Sequence, residues 1–123
     1  MSRDYRLYLL DIIDACDRAR SYVDGYTFDQ FILDHKTVDA VVRNLEIIGE
    51  AVKNVPAELT SAEPQIDWKR AARFRDIIAH YYFKIDYDVV WSILEKRLDE
   101  IKAAAAAILK RLPLIDETSS SYY

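Results

Sequence analysis

Turn-forming residues are scarce in this chain, and this scarcity limits its possible folds more than any other feature. Only two glycines and three prolines occur in 123 residues. A many-stranded sheet needs a tight turn between successive strands, and such turns depend heavily on glycine and proline. The long segments between these few residues are rich in alanine, leucine, isoleucine and charged residues, which favour helices. The sequence therefore predicts an almost entirely helical fold.

Four segments repeat apolar residues at steps of three and four, the spacing of one helical face. Gly25 ends the first segment, Pro56 the second and Pro113 the last. The residues between Asn54 and Pro64 are predicted to form a connection with one short turn of helix. The four predicted helices cover about residues 5–23, 27–55, 68–79 and 87–112.

Side chains that cap helix N-termini precede three of these segments. Thr27 and Asp29 are candidate caps for the second helix, Asp67 for the third and Asp86 for the last. The length suits one domain with a real core. We therefore expect an antiparallel bundle of four to five helices over residues 1–115, followed by a flexible, serine-rich tail over residues 116–123.

Charge and cysteine content limit the environment of the protein. Seventeen basic and twenty-one acidic residues give a formal net charge of −4, which argues against coating nucleic acid by bulk attraction. Any nucleic-acid site must therefore be local. The single cysteine, Cys16, cannot form an internal disulfide, and this indicates a reducing, cytoplasmic location.

No segment has the pattern of a signal peptide or a membrane span. Asp4 and several arginines and tyrosines interrupt residues 1–10, so this segment lacks a continuous apolar region. The most apolar stretch, residues 102–112, contains Lys110 and Arg111 and is shorter than the roughly 20 residues that a bilayer requires. We expect no membrane partner.

The sequence also predicts neither a metal nor a cofactor. It contains no CxxC pair and no glycine-rich phosphate loop. Glu46 and Glu50 lie one helical turn apart, but neither His35 nor His80 has the preceding glutamate of a di-iron motif.

A cluster of polar and aromatic residues near the end of the third helix is the candidate for chemistry. Its members are Arg75, Asp76, His80, Tyr81 and Tyr82. On a straight helix Arg75 and His80 would lie roughly 140° apart, so they would not share a face. To serve one site, the helix must end or distort near residue 79, or a second copy of the chain must contribute its own pair.

The segment RDIIAHYYFKIDYDVVW resembles the HEPN superfamily motif, in which arginine, four variable residues, histidine, one residue and tyrosine form the active motif. Here these residues are Arg75, His80 and Tyr82, and Asp76 matches the polar residue that usually follows the arginine. RNLEIIGEAVKNV and YFxIDYxxVW resemble the HepT-like toxin branch, and the resemblance covers essentially the whole chain. Lys84 departs from the branch, which commonly has glycine there.

The resemblance implies an all-α HEPN bundle that forms a homodimer with a composite active cleft. It also implies a metal-independent endoribonuclease toxin of a type VII-like toxin and antitoxin pair, with tRNA and mRNA both open as substrates. A neighbouring 2'-hydroxyl supplies the nucleophile in RNA, so the protein must move protons and stabilise phosphorane charge. His80 suits the general acid and base roles, and the Arg75 guanidinium suits the phosphate oxygens.

Tyr82 has a second role by resemblance. In this branch the motif tyrosine accepts AMP from a cognate minimal nucleotidyltransferase, an MntA-like antitoxin. An attached AMP would add negative charge and bulk where RNA must enter, so cleavage would stop.

Several basic residues and one tyrosine near the motif are candidate RNA contacts. Lys69, Arg70 and Arg73, together with Arg75, place four cations in seven residues, and Lys84 adds another cation nearby. They suit a rim that follows the phosphates, although a solvated helix face explains Lys69 and Arg70 equally well. Tyr81 is a candidate for stacking on an unpaired base.

Two other classes of function stay open from the sequence. One is a non-catalytic HEPN nucleotide-binding or adaptor protein for a nucleotidyltransferase, and the other is a structural dimerisation module. In these cases Arg75 would pair with a nearby acid such as Asp76 or Asp86, and His80 would bond the carbonyls of a helix end. Tyr82 would cover an apolar patch with its hydroxyl in water.

Overall fold

A computed structural model describes residues 4–78 and 84–113, and the eight regular elements in these ranges are all α-helices. The predicted all-α fold is therefore confirmed. The helices are α1 (Tyr5–Tyr22), α2 (Phe28–Leu33), α3 (His35–Lys53), α4 (Ala57–Thr60), α5 (Trp68–Ala72), α6 (Phe74–Ile78), α7 (Tyr87–Lys96) and α8 (Leu98–Arg111). The predicted tail lies outside the described residues.

Helix starts agree with the predicted caps. Thr27 accepts a hydrogen bond from the Gln30 backbone, and the Gln30 side chain accepts one from the Thr27 backbone, which completes a capping box. Asp67 accepts from the backbone of Arg70 at 3.0 Å. Asp86 caps α7 in the same way, through a 3.1 Å bond from Val89. Asp29 lies inside the first turn of α2 and is not its cap.

Three predicted helices are each divided in two, at Asp34, Arg73 and Arg97. Asp34 has φ −103° and ψ 84°, and its side chain caps α3 by accepting from the backbone of Thr37 at 3.1 Å. Hydrogen bonds from Tyr26 and Thr37 hold the pKa of the Asp34 carboxyl below its ordinary value. A local cap therefore overrides the apolar period there.

The break at Arg97 is milder than the break at Asp34. The Arg97 backbone stays in the right-handed helical region, and its N–H donates to the carbonyl of Ile93 at 2.9 Å. The Arg97 carbonyl in turn accepts from Ile101 at 3.0 Å. Helical hydrogen bonding therefore continues across the distortion, and α7 and α8 follow one another closely.

Contacts between chain-distant ends show that α1 and α8 run antiparallel. At the start of α1, Arg6 Nε and Nη2 donate to the carbonyl of Pro113 at 2.8 and 2.5 Å. Toward the other end of α1, Asp17 forms an ion pair with Lys102 in the first half of α8, with 2.6 Å between Oδ1 and Nζ. The predicted antiparallel arrangement holds for this pair.

The core lies where α1 packs against α3 and α8, and α3 also contacts α5 and α6. On α1 the apolar side chains of Leu9, Ile12, Cys16 and Ala19 are buried, Ile13 is half-buried, and Tyr5 at the start of the helix is 46% exposed. On the opposite side α2 packs on α7 through Phe31 and Trp91, whose ring centroids are 5.2 Å apart. The largest fully buried side chains are Phe31, Phe74, Leu9, Ile12, Leu45, Ile48, Ile93, Leu94, Leu98, Ile108, Val38 and Val41.

A buried glycine lets α3 approach α5 closely. A Cβ atom at Gly49 would lie 3.2 Å from the Ala71 carbonyl oxygen and 3.3 Å from that of Ala72. Such distances are shorter than most Cβ contacts, and the neighbouring atoms belong to the backbone, which cannot move aside by a change of rotamer. Gly49 therefore determines how near α5 and the residues that follow it lie to the second half of α3.

No helix within residues 4–78 and 84–113 is long and apolar enough to cross a lipid bilayer.

Candidate functional site

Arg75 lies in α6, directly after the segment that Gly49 holds against α3. It lines an open groove of about 270 Å³ between the first half of α1 and the second half of α3. The three segments that line the groove, from α1, α3 and α6, are thus distant in sequence and meet only in the folded chain. The groove is lined by Tyr8, Asp11, Arg43, Glu46, Ile47, Glu50, Ala51, Asn54 and Arg75.

The Arg75 guanidinium is exposed and has no ion pair or hydrogen bond within the described part of the chain. In particular it forms no ion pair with Asp76 or Asp86, the two carboxylates that a purely structural role would use. A guanidinium carries five donors in a planar fork that matches two oxygens of a phosphate. Arg75 is therefore available to a phosphate that enters the groove.

Of the other residues in the predicted motif, the structure describes Asp76 alone. Asp76 is exposed and does not line the groove. His80, Tyr81 and Tyr82 lie outside the described residues. The structure therefore locates the arginine of the motif, and the roles of the histidine and the two tyrosines remain predictions.

The predicted cationic rim does not lie on one face. Lys69 and Arg73 are exposed, and Arg70 lines two other grooves together with Arg97. Lys84 is exposed beside α2 and the start of α7. Arg70 and Arg75 thus line different grooves, and among the cations of residues 69–75 only Arg75 lines the groove against α1 and α3.

Several groove residues were not singled out from the sequence as parts of a nucleic-acid site. Arg43, Glu46, Glu50 and Asn54 follow one another at steps of three and four on α3, which places them along one stripe. That polar stripe, beside the apolar stripe of the same helix, was the available signal. Tyr8, on α1, gave no such signal because its neighbours belong to the core face.

No second centre for nucleophilic or metal chemistry occurs in the described ranges. Burial raises the pKa of the Cys16 thiol to about 12, so this cysteine stays protonated and inert at neutral pH. Residues 4–78 and 84–113 contain no group of three or more histidine, cysteine, aspartate or glutamate side chains arranged to hold a metal ion.

Comparison with known proteins places this chain in a family. The family described as "Ribonuclease HepT-like" matches residues 12–108. "Putative RNase MJ0127" of Methanocaldococcus jannaschii is 38% identical over 117 residues, which cover 95% of this chain and 97% of that protein. "Probable ribonuclease HepT" of Thermococcus cleftensis is 38% identical over 102 residues, covering 83% of this chain and 93% of that protein. No solved structure matches the chain at a significant level. The predicted resemblance is confirmed, and the chain belongs to the ribonuclease HepT-like family of the HEPN superfamily.

Proposed function

We propose that this protein is a metal-independent endoribonuclease. The observation that carries the proposal is an arginine with no intramolecular ion pair in the described residues, held at the edge of a groove in a chain of this family. The two relatives bear the names "Putative RNase MJ0127" and "Probable ribonuclease HepT", which supports the same chemistry here. Because the Arg75 guanidinium has five donors and no ion pair or hydrogen bond within the described residues, a phosphodiester is a well-matched partner for it.

The proposed reaction needs only proton transfer and charge stabilisation. A base removes the proton of the ribose 2'-hydroxyl, and the resulting oxygen attacks the adjacent phosphorus. The bond between phosphorus and the 5'-oxygen breaks, and an acid protonates that leaving oxygen. The products are a 2',3'-cyclic phosphate and a free 5'-hydroxyl. Arg75 stabilises the added charge on the phosphorane, and His80 moves the protons, since imidazole titrates near neutral pH.

The proposed active unit is a homodimer in which two motifs face one cleft. The groove that Arg75 lines is open to solvent, and a two-fold axis beside it would bring a second Arg75 and a second His80 to the same phosphate. One histidine would then act as base and the other as acid.

The test is RNA cleavage in the presence of a chelator that removes divalent ions. We expect wild-type protein to cleave single-stranded RNA and to leave 2',3'-cyclic phosphate ends, which mass spectrometry of the fragments identifies. A DNA strand of the same sequence should stay intact because it lacks the 2'-hydroxyl. The His80→Ala variant is the negative control, because it lacks the imidazole that is proposed to move the protons. Full cleavage by a folded His80→Ala protein, or tight RNA binding with no cleavage by wild type, would contradict the proposal; the second result fits a non-catalytic adaptor.

We further propose that the protein is the toxin of a toxin and antitoxin pair and that Tyr82 is its control point. The partner would be a minimal, MntA-like nucleotidyltransferase that transfers AMP from ATP to the Tyr82 oxygen and releases pyrophosphate. The attached AMP would add a phosphate to the motif that contains Arg75, and its negative charge would compete with RNA for the guanidinium.

Incubation with such a nucleotidyltransferase and ATP should add the mass of AMP to the peptide that contains Tyr82 and lower RNA cleavage in parallel. Tyr82→Phe protein should gain no mass at this peptide. An unmodified peptide in wild-type protein, measured after the partner has been shown to be active on ATP, would refute this mode of control.

A further inference from the structure

The groove beside Arg75 contains a second set of groups that phosphate binding does not use. The α3 stripe brings the carboxylates of Glu46 and Glu50 into it, and Asp11 adds a third carboxylate from α1. Two like charges 4 Å apart repel by about 1 kcal/mol in water and by about 4 kcal/mol near a protein surface. A second backbone phosphate would therefore be disfavoured in the part of the groove away from Arg75.

The same groups suit the edge of a nucleobase. Carboxylates only accept hydrogen bonds, and the exocyclic amino groups of adenine, cytosine and guanine donate them. Uracil has no exocyclic amino group. The groove volume of about 270 Å³ lies just below the range of about 300–1,000 Å³ that is typical of small-molecule sites. Ile47 and the Tyr8 ring, which packs partly on the core, provide an apolar surface for the base face.

Glu46 is the carboxylate best placed for this task. Its side chain is 33% exposed, compared with 63% for Glu50, so a hydrogen bond to Glu46 is less open to competing water. Glu50 already pairs with Lys53 at 3.2 Å, whereas the Arg43 guanidinium lies 3.9 Å from Glu46, too far for a hydrogen bond. Arg43 and Glu46 thus offer a donor and an acceptor side by side, as the edge of an amino-bearing base requires.

We infer that this groove is a base-recognition subsite in which Glu46 accepts a hydrogen bond from the exocyclic amino group of an unpaired base adjacent to the scissile phosphate. Arg43 donates to an unprotonated ring nitrogen beside that amino group. The inference rests on the proposed ribonuclease function and adds its specificity. It makes Glu46 a specificity residue and leaves the chemical step to Arg75 and His80.

The experiment compares short single-stranded RNAs that differ only in the base on the 5' or the 3' side of the cut. For wild-type protein we expect kcat/KM to be about tenfold lower when uracil replaces an amino-bearing base at the recognised position. Glu46→Ala should remove this preference, whereas Glu46→Gln, whose side-chain carbonyl oxygen still accepts a hydrogen bond, should keep part of it. Glu95→Gln, an exposed glutamate on α7 outside the groove, is the matched control and should keep it. RNAs with a single 2'-deoxy residue at the cut cannot be cleaved there because they lack the attacking hydroxyl. Their binding affinities, measured by fluorescence anisotropy, should show the same preference.

The outcomes separate this inference from the proposed function. If wild type cleaves, Arg75→Ala impairs cleavage and Glu46→Ala keeps the wild-type base preference, the subsite is wrong and the ribonuclease stands. Equal cleavage of all bases by wild type has the same meaning. If Glu46→Ala changes the oligomeric state while base preference is retained, the groove is an interface between copies and the subsite is again refuted. If wild type cleaves no RNA and binds none, both proposals fail together.

Discussion

Arg75→Ala is expected to lower kcat/KM for RNA cleavage by about 100-fold or more, the usual cost of removing one donor that stabilises transition-state charge. The guanidinium has no ion pair in the described residues, so the substitution leaves no carboxylate without a partner. It is also exposed, and its loss should change the free energy of unfolding by less than about 0.5 kcal/mol. Activity and stability should therefore separate clearly in this variant.

Two further variants make the Arg75 result specific. Arg75→Lys keeps the charge but loses the fork, so its activity should lie between those of wild type and Arg75→Ala. Arg18→Ala removes an exposed arginine of α1 that pairs with Asp14 away from the groove, and it should cleave at the wild-type rate. Cleavage rates come from a labelled RNA and folding from circular dichroism. An Arg75→Ala protein that cleaves within about twofold of wild type would show that Arg75 is only a surface cation.

Phe31→Ala is expected to cause the largest loss of stability among the variants considered. Phe31 is fully buried, and its ring lies 5.2 Å from that of Trp91, so truncation leaves a cavity between α2 and α7. Replacing a buried phenylalanine by alanine costs about 3–5 kcal/mol. For a chain of this length such a loss corresponds to a fall in Tm of about 10–20 °C.

Leu33→Ala is the matched control on the same helix. Leu33 is 80% exposed, so its truncation should change the free energy of unfolding by less than about 0.5 kcal/mol. Thermal and urea unfolding measure both variants. A Phe31→Ala protein as stable as Leu33→Ala would show that the packing of α2 on α7 contributes little to the fold.

One side of α3 faces the core and another side faces the groove, so this helix contributes to both. Leu45 and Ile48 lie in the core, while Glu46 and Glu50 line the groove on another side. Gly49 lies between Ile48 and Glu50 and lets α5 pack close to α3. A substitution at Glu46 can therefore test base recognition with little effect on the packing of the core.

Local chemistry made much of this fold predictable. Scarce glycine and proline, together with the apolar period, predicted helices, and Thr27, Asp67 and Asp86 predicted where three of them begin. These signals depend on backbone hydrogen bonds within a few residues, so a sequence contains them in full. The division at Asp34 was missed because the apolar period continues across it, although the Asp34 side chain caps a new helix.

The sequence by itself determined the helical class, most of the caps, the family and the choice of Arg75 as the candidate arginine. Only the tertiary structure decided what Arg75 faces. Helical periodicity gives the angle of each residue about its own axis, but it gives no information about which helices become neighbours. The close approach at Gly49 and the antiparallel packing of the bundle bring α1 and α3 beside Arg75, and this packing places Glu46 and Arg43 in the same groove.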